Sequence, residues 1–462
     1  MKKSIRFYTL ILIFSVMGFF SSIAVKAQSK VAAISYKKTV PEWTKNMTIY
    51  EVNLRQYSKS GSFKDFEMHI PRLKELGVEI LWFMPVNPIG VVNRKGSLGS
   101  YYSVSDYTGI NPEFGTMDDF KHLVKKCHEA GMYVIIDWVA NHSAWDNKLV
   151  IQHPEWYTQD ETGKIVAPVP DWTDVADLNY DNKGLRRYMI NALKFWLTET
   201  GIDGFRCDVA GMCPVDFWNE VRPALDSVKK VFMLAEWEDP AFHEKAFDMS
   251  YTWDFHHLIT DIAKGKKTAL SLDTLFLKES ENYPADAYRM YFTSNHDENS
   301  WNGTAYEKFG DGVETFAVLT FTIPGMPLIY SGQEAGLNKR LQFFDKDTIE
   351  WKKDKFFDLY KTLITLKKEN KALWNGTYGG RMNKIKTSDD EAVYAFYREK
   401  EGDEVVVIVN LSDRAVDFRL SESPASGTYR DVFASNKVDI MTDSAFKMKA
   451  WEYKVFERRR KK

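Results

Sequence analysis

The chain has 462 residues, 44% hydrophobic and 27% charged, with a formal net charge of −2. This is the composition of a folded globular protein, long enough for one large barrel with an appended domain. The near-balanced charge gives no electrostatic reason to expect a nucleic-acid partner, and none is expected.

The chain opens on Lys2, Lys3 and Arg6, then an apolar run that closes on the small residues Val25 and Ala27. This predicts a signal peptide over 1–27, cleaved after Ala27, and an exported (periplasmic or secreted) protein without a membrane span once the signal is removed. A lead-in, 28–46, follows. From 47 to 372 apolar runs alternate with amphipathic ones. Strands are predicted at 48–54, 79–85, 132–138, 202–209, 231–237, 246–254, 287–297 and 327–334. Helices are predicted between them, notably 63–77, 117–131, 183–201, 214–229 and 311–323. Eight strands alternating with helices predict an α/β fold, a parallel (β/α)8 TIM barrel. An open doubly wound sheet would want a Gly-rich phosphate loop, and no G-x-G-x-x-G or Walker-type stretch follows the first strand. The long polar stretch after the third strand, about 141–182, reads as a short inserted domain B. Beyond 373, alternating runs such as DEAVYAFYREK and DEVVVIVNLS predict a C-terminal antiparallel β-sandwich over 373–462.

Charged residues gather where these strands end. IDGFRCDV (202–209) is mostly apolar, yet it places Arg206 and Asp208 two residues apart, on one face of a strand. Cys207 should point the other way, as a small buried hydrophobe; the chain's 3 cysteines suggest no disulfide framework. The third strand delivers Asp137, Asn141 and His142, the fifth Glu236, the seventh His296 and Asp297, the eighth Glu334. In a TIM barrel, chemistry sits at that rim. Glycoside hydrolysis needs paired carboxylates. No Cys/His metal cluster and no G-x-S-x-G elbow competes with this reading. Aromatic residues, 15% of the chain with 14 Trp, suit stacking on sugar rings.

Four ordered motifs, DWVANH (137–142), GFRCDV (204–209), LAEWE (234–238) and FTSNHD (292–297), resemble those of the α-amylase superfamily, glycoside hydrolase family 13. The resemblance covers about 47–460. It implies that Asp208 is the nucleophile, Glu236 the general acid/base and Asp297 the stabiliser of the distorted sugar. It implies that Arg206 keeps Asp208 ionised, that Tyr102 stacks on the bound glucose, that His142 and His296 donate to its hydroxyls, and that Asp137 is a structural partner. Asn141 and Asp177 match positions that hold structural calcium in many members; no cofactor is required for the chemistry. The implied function is a retaining hydrolase of α-glucosidic linkages in α-1,4-glucans and maltooligosaccharides. An α-glucan transglycosylase is the alternative, and a non-catalytic carbohydrate-binding relative is a lesser one. Endo-acting members carry Lys-His where this chain has Gly211 and Met212, and VADLN (175–179) is not one of the family's commonest forms. A short domain B and missing leaving-side cation then favour oligosaccharides over granular starch. Oligomeric state is not encoded in any of these motifs.

Overall fold

The computed structural model describes residues 38–422 and 426–460; the expected signal peptide and most of the lead-in lie outside them. Strands β1 (Ile49–Val52), β2 (Ile80–Phe83) and β3 (Tyr133–Val139) alternate with helices. A two-stranded ribbon, β4 (His142–Ala144) and β5 (Val175–Asp177), marks the insertion after β3. Then come β6 (Gly204–Asp208), β7 (Phe232–Ala235), β8 (Met249–Tyr251), β9 (Tyr288–Tyr291) and β10 (Met326–Tyr330). The eight parallel strands close in the order β1-β10-β9-β8-β7-β6-β3-β2. The barrel is as the periodicity predicts.

The inside of the barrel is a packed core of Ile49, Ile80, Trp82, Ile135, Phe232, Leu234, Met249, Tyr251, Met290, Phe292 and Leu328. Residues of opposite parity, such as Phe83, Ile136 and Cys207, pack outward against the helices. The period-2 alternation therefore decides which side chains look into the barrel. Cys207 takes the outward side, and all three cysteines are buried and free.

One predicted helix differs. The stretch 63–77 is broken into Phe63–Glu67 and Ile70–Leu76. Pro71 lacks an N–H and its ring would collide with the carbonyl four residues back, so it is accommodated only in the first turn of a new helix. The helix Met117–Glu129 starts on a capping box, with Thr116 and Asp119 exchanging hydrogen bonds.

The last barrel helix ends at Glu369. The C-terminal strands are β11 (Met382–Ile385), β12 (Val393–Lys400), β13 (Asp403–Asn410), β14 (Val416–Arg419), β15 (Gly427–Asp431), β16 (Lys437–Ile440), β17 (Ala445–Met448) and β18 (Tyr453–Arg458). Six form one antiparallel sheet, and β14 and β17 form a second. Phe418, Leu420 and Met448 pack against Val393, Val406, Ile408 and Phe456 in the core they share. Buried Arg398 locks this domain to the barrel by donating to the carbonyls of Thr322, Ile323 and Trp374.

Candidate active site

β3 and β6 are in register with Asp137 beside Arg206 and Val139 beside Asp208. Inward parity then brings Asp137, Arg206 and Asp208 together. Arg206 is completely buried. Its Nη1 donates to Asp137 Oδ1 and Asp208 Oδ1, both at 2.9 Å, and its Nε to the Tyr251 hydroxyl at 3.3 Å. Nη2 lies 2.9 Å from Glu236 Oε1 but out of line for a hydrogen bond, so that contact is Coulombic. The guanidinium also sits over the rings of Trp82 and Tyr251. One cation is thus shared by three buried carboxylates.

Glu236 follows β7, and its Oε2 accepts the Val209 backbone N–H at 2.8 Å. Val209 aims that N–H from a left-handed conformation, φ 34° and ψ 49°. A β-branched residue there costs about 1–3 kcal/mol, and such strain concentrates at functional sites. Asp297 stands beyond β9, immediately before a π-type turn, Glu298–Asn302. Glu298 anchors that turn below the rim, gripped by His256 at 3.0 Å and by Lys308.

His296 sits behind Asp297. Its Nδ1 is 2.5 Å from Glu51 Oε1, and its Nε2 is 2.7 Å from the Tyr102 hydroxyl and 3.3 Å from Asp297 Oδ2. Tyr102 in turn donates to Asp137 Oδ2 at 3.1 Å. A continuous polar chain therefore runs Glu51–His296–Tyr102–Asp137–Arg206–Asp208. Both nitrogens of His296 are engaged within the protein, so a sugar hydroxyl must compete for Nε2. The Tyr102 and His296 rings are stacked, with centroids 5.4 Å apart. His142 lies in the domain B ribbon opposite Asp177, its ring against Trp172.

The electrostatics follow from burial. Desolvation pushes Glu236 and Asp208 each up to about 7, with Arg206 pulling both back and the neighbouring carboxylates pushing them up. Asp137 rises to about 6 for the same leading reason. The cluster thus holds a shared proton near neutrality. Asp208 receives a direct N–H from Arg206, whereas Glu236 receives only a backbone N–H. That difference favours ionised Asp208 over ionised Glu236. Burial alone would lower His296, but Asp297 and Glu51 overcome it and raise it to about 9. Burial takes His142 down to about 4, leaving it neutral.

Acids at the same rim do not all join the site. Glu334 turns outward, bound to Arg72 at 2.7 Å and to the Tyr50 hydroxyl at 2.6 Å. Asn141 turns its amide nitrogen towards His142 Nδ1 at 3.3 Å. Asp177 is pushed up by burial, with Thr158 as hydrogen-bond partner. Among the described residues no group of three or more His, Cys, Asp or Glu is arranged to hold a metal. Asn141 and Asp177 alone do not fit the six to eight oxygens that calcium takes.

The sequence profile of the alpha amylase catalytic domain matches residues 35–163 and 152–403 of this chain. The chain belongs to the α-amylase family. A second profile, the maltogenic amylase C-terminal domain, matches residues 384–455. The crystal structure of a maltogenic alpha-amylase from Thermotoga neapolitana is similar at 33% identity and a TM-score of 0.82, over 89% of this chain and 98% of that one. An alpha-amylase structure from Lactobacillus plantarum is similar at 30% identity and a TM-score of 0.80, over 89% of this chain and 99% of that one. Alpha-amylase 2 of Dictyoglomus thermophilum is 25% identical over 86% of this chain and 74% of its own length. This α-amylase-family chain is therefore a glycosidase, and the family's hydrolytic chemistry requires no cofactor.

Some members of the site are not singled out by its motifs. Glu51 is the clearest. It lies two residues after inward-facing Ile49, so the parity argument that pairs Arg206 with Asp208 also points Glu51 into the barrel. Trp82, which donates to Asp137 Oδ2 at 3.2 Å, and Tyr251 follow the same parity. Trp172 carries no such signal, because domain B is irregular.

Proposed function

We propose that this α-amylase-family protein is an exported, retaining hydrolase of short, soluble α-1,4-glucans. The observation that carries the reading is one buried guanidinium shared by Asp208 and Glu236, with Asp297 at the same rim. Protonated Glu236 delivers its proton to the glycosidic oxygen as Asp208 attacks the anomeric carbon. Asp208 can attack because Arg206 holds it ionised. The sugar then resides on Asp208 as a glycosyl ester, and Glu236, now a carboxylate, takes a proton from the water that releases it. Asp297 and the His296–Tyr102 pair face the charge that builds on the ring. Two carboxyl groups that share one guanidinium suit the close spacing, about 5–5.5 Å, of retaining enzymes.

Relatives named maltogenic alpha-amylase and cyclomaltodextrinase support short substrates. The compact domain B, about 40 residues from 141 to 182, supports them too, since it offers little wall for a long chain. Export rests on the basic start and apolar run before Ala27; among the described residues no helix is long and apolar enough to cross a membrane. No step passes through calcium, and chelation with EGTA is expected to leave the melting temperature unchanged. The deciding experiment is proton NMR of maltotetraose hydrolysis: the α-anomer should appear first, and initial β-anomer would refute the mechanism. In parallel, kcat/KM should level off by about three or four glucose units, because remote sugars add little binding energy here. A steep rise through long amylose would refute the short-substrate reading. N-terminal sequencing of the exported protein should begin at Gln28.

A further inference from the structure

Of the carboxylates at the reacting rim, two are held directly. Arg206 donates to Asp208, and the Val209 N–H donates to Glu236. Asp297 is held differently. Its side chain is 35% exposed and, among the described residues, its carboxylate accepts no hydrogen bond; its one ionic contact is His296 Nε2 at 3.3 Å. The aim of this carboxylate therefore depends on the backbone that carries it.

That backbone is helical. Asp297 has φ −71° and ψ −50°, and the π-type turn Glu298–Asn302 follows it. Asn295 caps the turn: its Oδ1 accepts the Glu298 N–H at 2.8 Å and its carbonyl accepts the Asn299 N–H at 2.9 Å. Asn-x-x-Glu has the spacing of a capping box, in which the acid bonds back to the N–H of the cap. Asp119 and Glu307 do so in this chain. Glu298 turns away instead. Its Oε2 accepts from His256 Nε2 at 3.0 Å and from the Lys308 ammonium, and its Oε1 accepts from Asn302 Nδ2 at 2.9 Å. His256 and Lys308 belong to other helices, Trp253–Ala263 and Ala305–Phe309, and both are buried with Glu298. A buried carboxylate matched to three donors, one of them a cation, is a costly group to displace. On its other side the turn is tied to the loop after β10, where Asn299 binds the Lys339 carbonyl and the Leu341 N–H. Successive helical residues point about 100° apart, so the pin at 298 fixes the direction of 297.

We propose that Glu298 is a positioning residue for the reaction: by pinning the turn to His256 and Lys308, it aims the Asp297 carboxylate at the sugar ring. The proposal rests on the reading of Asp297 as the group that faces the charge building on that ring. Glu298 touches no substrate and acts only through Asp297. A catalytic group displaced by about 1 Å can cost about a hundredfold in rate. Most of that loss belongs to kcat, because the charge Asp297 faces is greatest in the transition state.

The test is a double-mutant cycle on α-maltosyl fluoride, whose fluoride leaves readily enough for weakened variants to be measured. Glu298→Gln keeps the size of the side chain and removes its charge. Alone, it should lower kcat by about tenfold to a hundredfold while KM changes by less than about threefold. In the Asp297→Asn background the same substitution should cost less than about twofold, because the carboxylate it aims is no longer there. Binding of acarbose, whose unsaturated amine-bearing ring imitates the flattened cationic sugar, gives the same comparison by calorimetry without turnover and decides if the Asp297→Asn background is too slow. If Glu298→Gln yields no folded protein, Asn302→Ala, which removes one of the three bonds, replaces it in both backgrounds with an expected loss of about threefold to tenfold. Equal costs in the two backgrounds mark a merely structural Glu298 and overturn the proposal, as does a wild-type kcat in the single variant. Asp297→Asn as active as wild type would instead overturn the reading of Asp297 itself.

Discussion

Replacing Glu236, the proposed acid/base, by its amide should stabilise the fold while abolishing activity. Burial lifts Glu236 from an ordinary 4.5 to about 7. The folded state therefore holds this proton more tightly than the unfolded chain does. Below about pH 4.5 both states are protonated and no stability is lost. As pH rises from there towards 7, the unfolded chain releases its proton freely while the native state must keep it or bear a buried charge. Stability falls across that window and stays low above it. At 1.36 kcal/mol per pKa unit, the full cost at pH 8 is about 3 kcal/mol, and at pH 5 it is under about 1 kcal/mol. Glu236→Gln removes this cost. It also has one oxygen where the carboxylate has two, facing Val209 N–H and Arg206 Nη2, which forfeits about 1 kcal/mol. The net expectation is a gain of about 2 kcal/mol at pH 8, shrinking to about zero at pH 5. Urea unfolding of wild type and Glu236→Gln at both values measures it, and residual kcat/KM should be below about a thousandth of wild type. A variant equally stable relative to wild type at pH 5 and 8, or less stable at pH 8, would refute the idea that the site stores electrostatic strain.

Arg206→Leu should cost about 3–5 kcal/mol at pH 7, because it strands buried carboxylates, and less at pH 5 where they protonate; if the loss does not shrink on acidification, Arg206 acts by packing alone. The acid limb of the pH–rate profile of that variant should move upward, as Asp208 protonates more readily without its cation. Glu51→Gln should bring His296 down from about 9 into the physiological range, read from its imidazole 15N shifts, whereas an unmoved His296 would show that Asp297 suffices. The raised His296 also contributes stability that is complete below about pH 6.5 and is lost as pH climbs through 9, so Glu51→Gln should flatten the stability curve between those values.

The barrel was legible in the sequence because its signal is local. Each strand's period-2 alternation and each helix's apolar stripe are complete within a dozen residues, and Thr116 with Asp119 marks a helix start within four. Arg206 and Asp208 were legible as a pair for the same reason, since strand geometry alone aims residues i and i+2 to one side. Pro71 also carried its message locally, though helical spacing on either side of it suggested one helix where there are two.

Contacts between distant segments were decided only by the tertiary structure. Glu51 and His296 are 245 residues apart and meet because barrel closure brings β1 and the loop after β9 round to the same rim. Sharing Arg206 among Asp137, Asp208 and Glu236 requires the lateral register of β3, β6 and β7, which no single strand encodes. The left-handed turn at Val209 is invisible to propensity, because a valine is held there only by the bonds around it. Gly211 reads in the sequence as something missing, and only the approach of the Trp237 indole from another loop shows what the empty position admits. Side-chain periodicity settles what each segment can present, while packing between segments settles which groups meet, and buried charges change their protonation only once they have met.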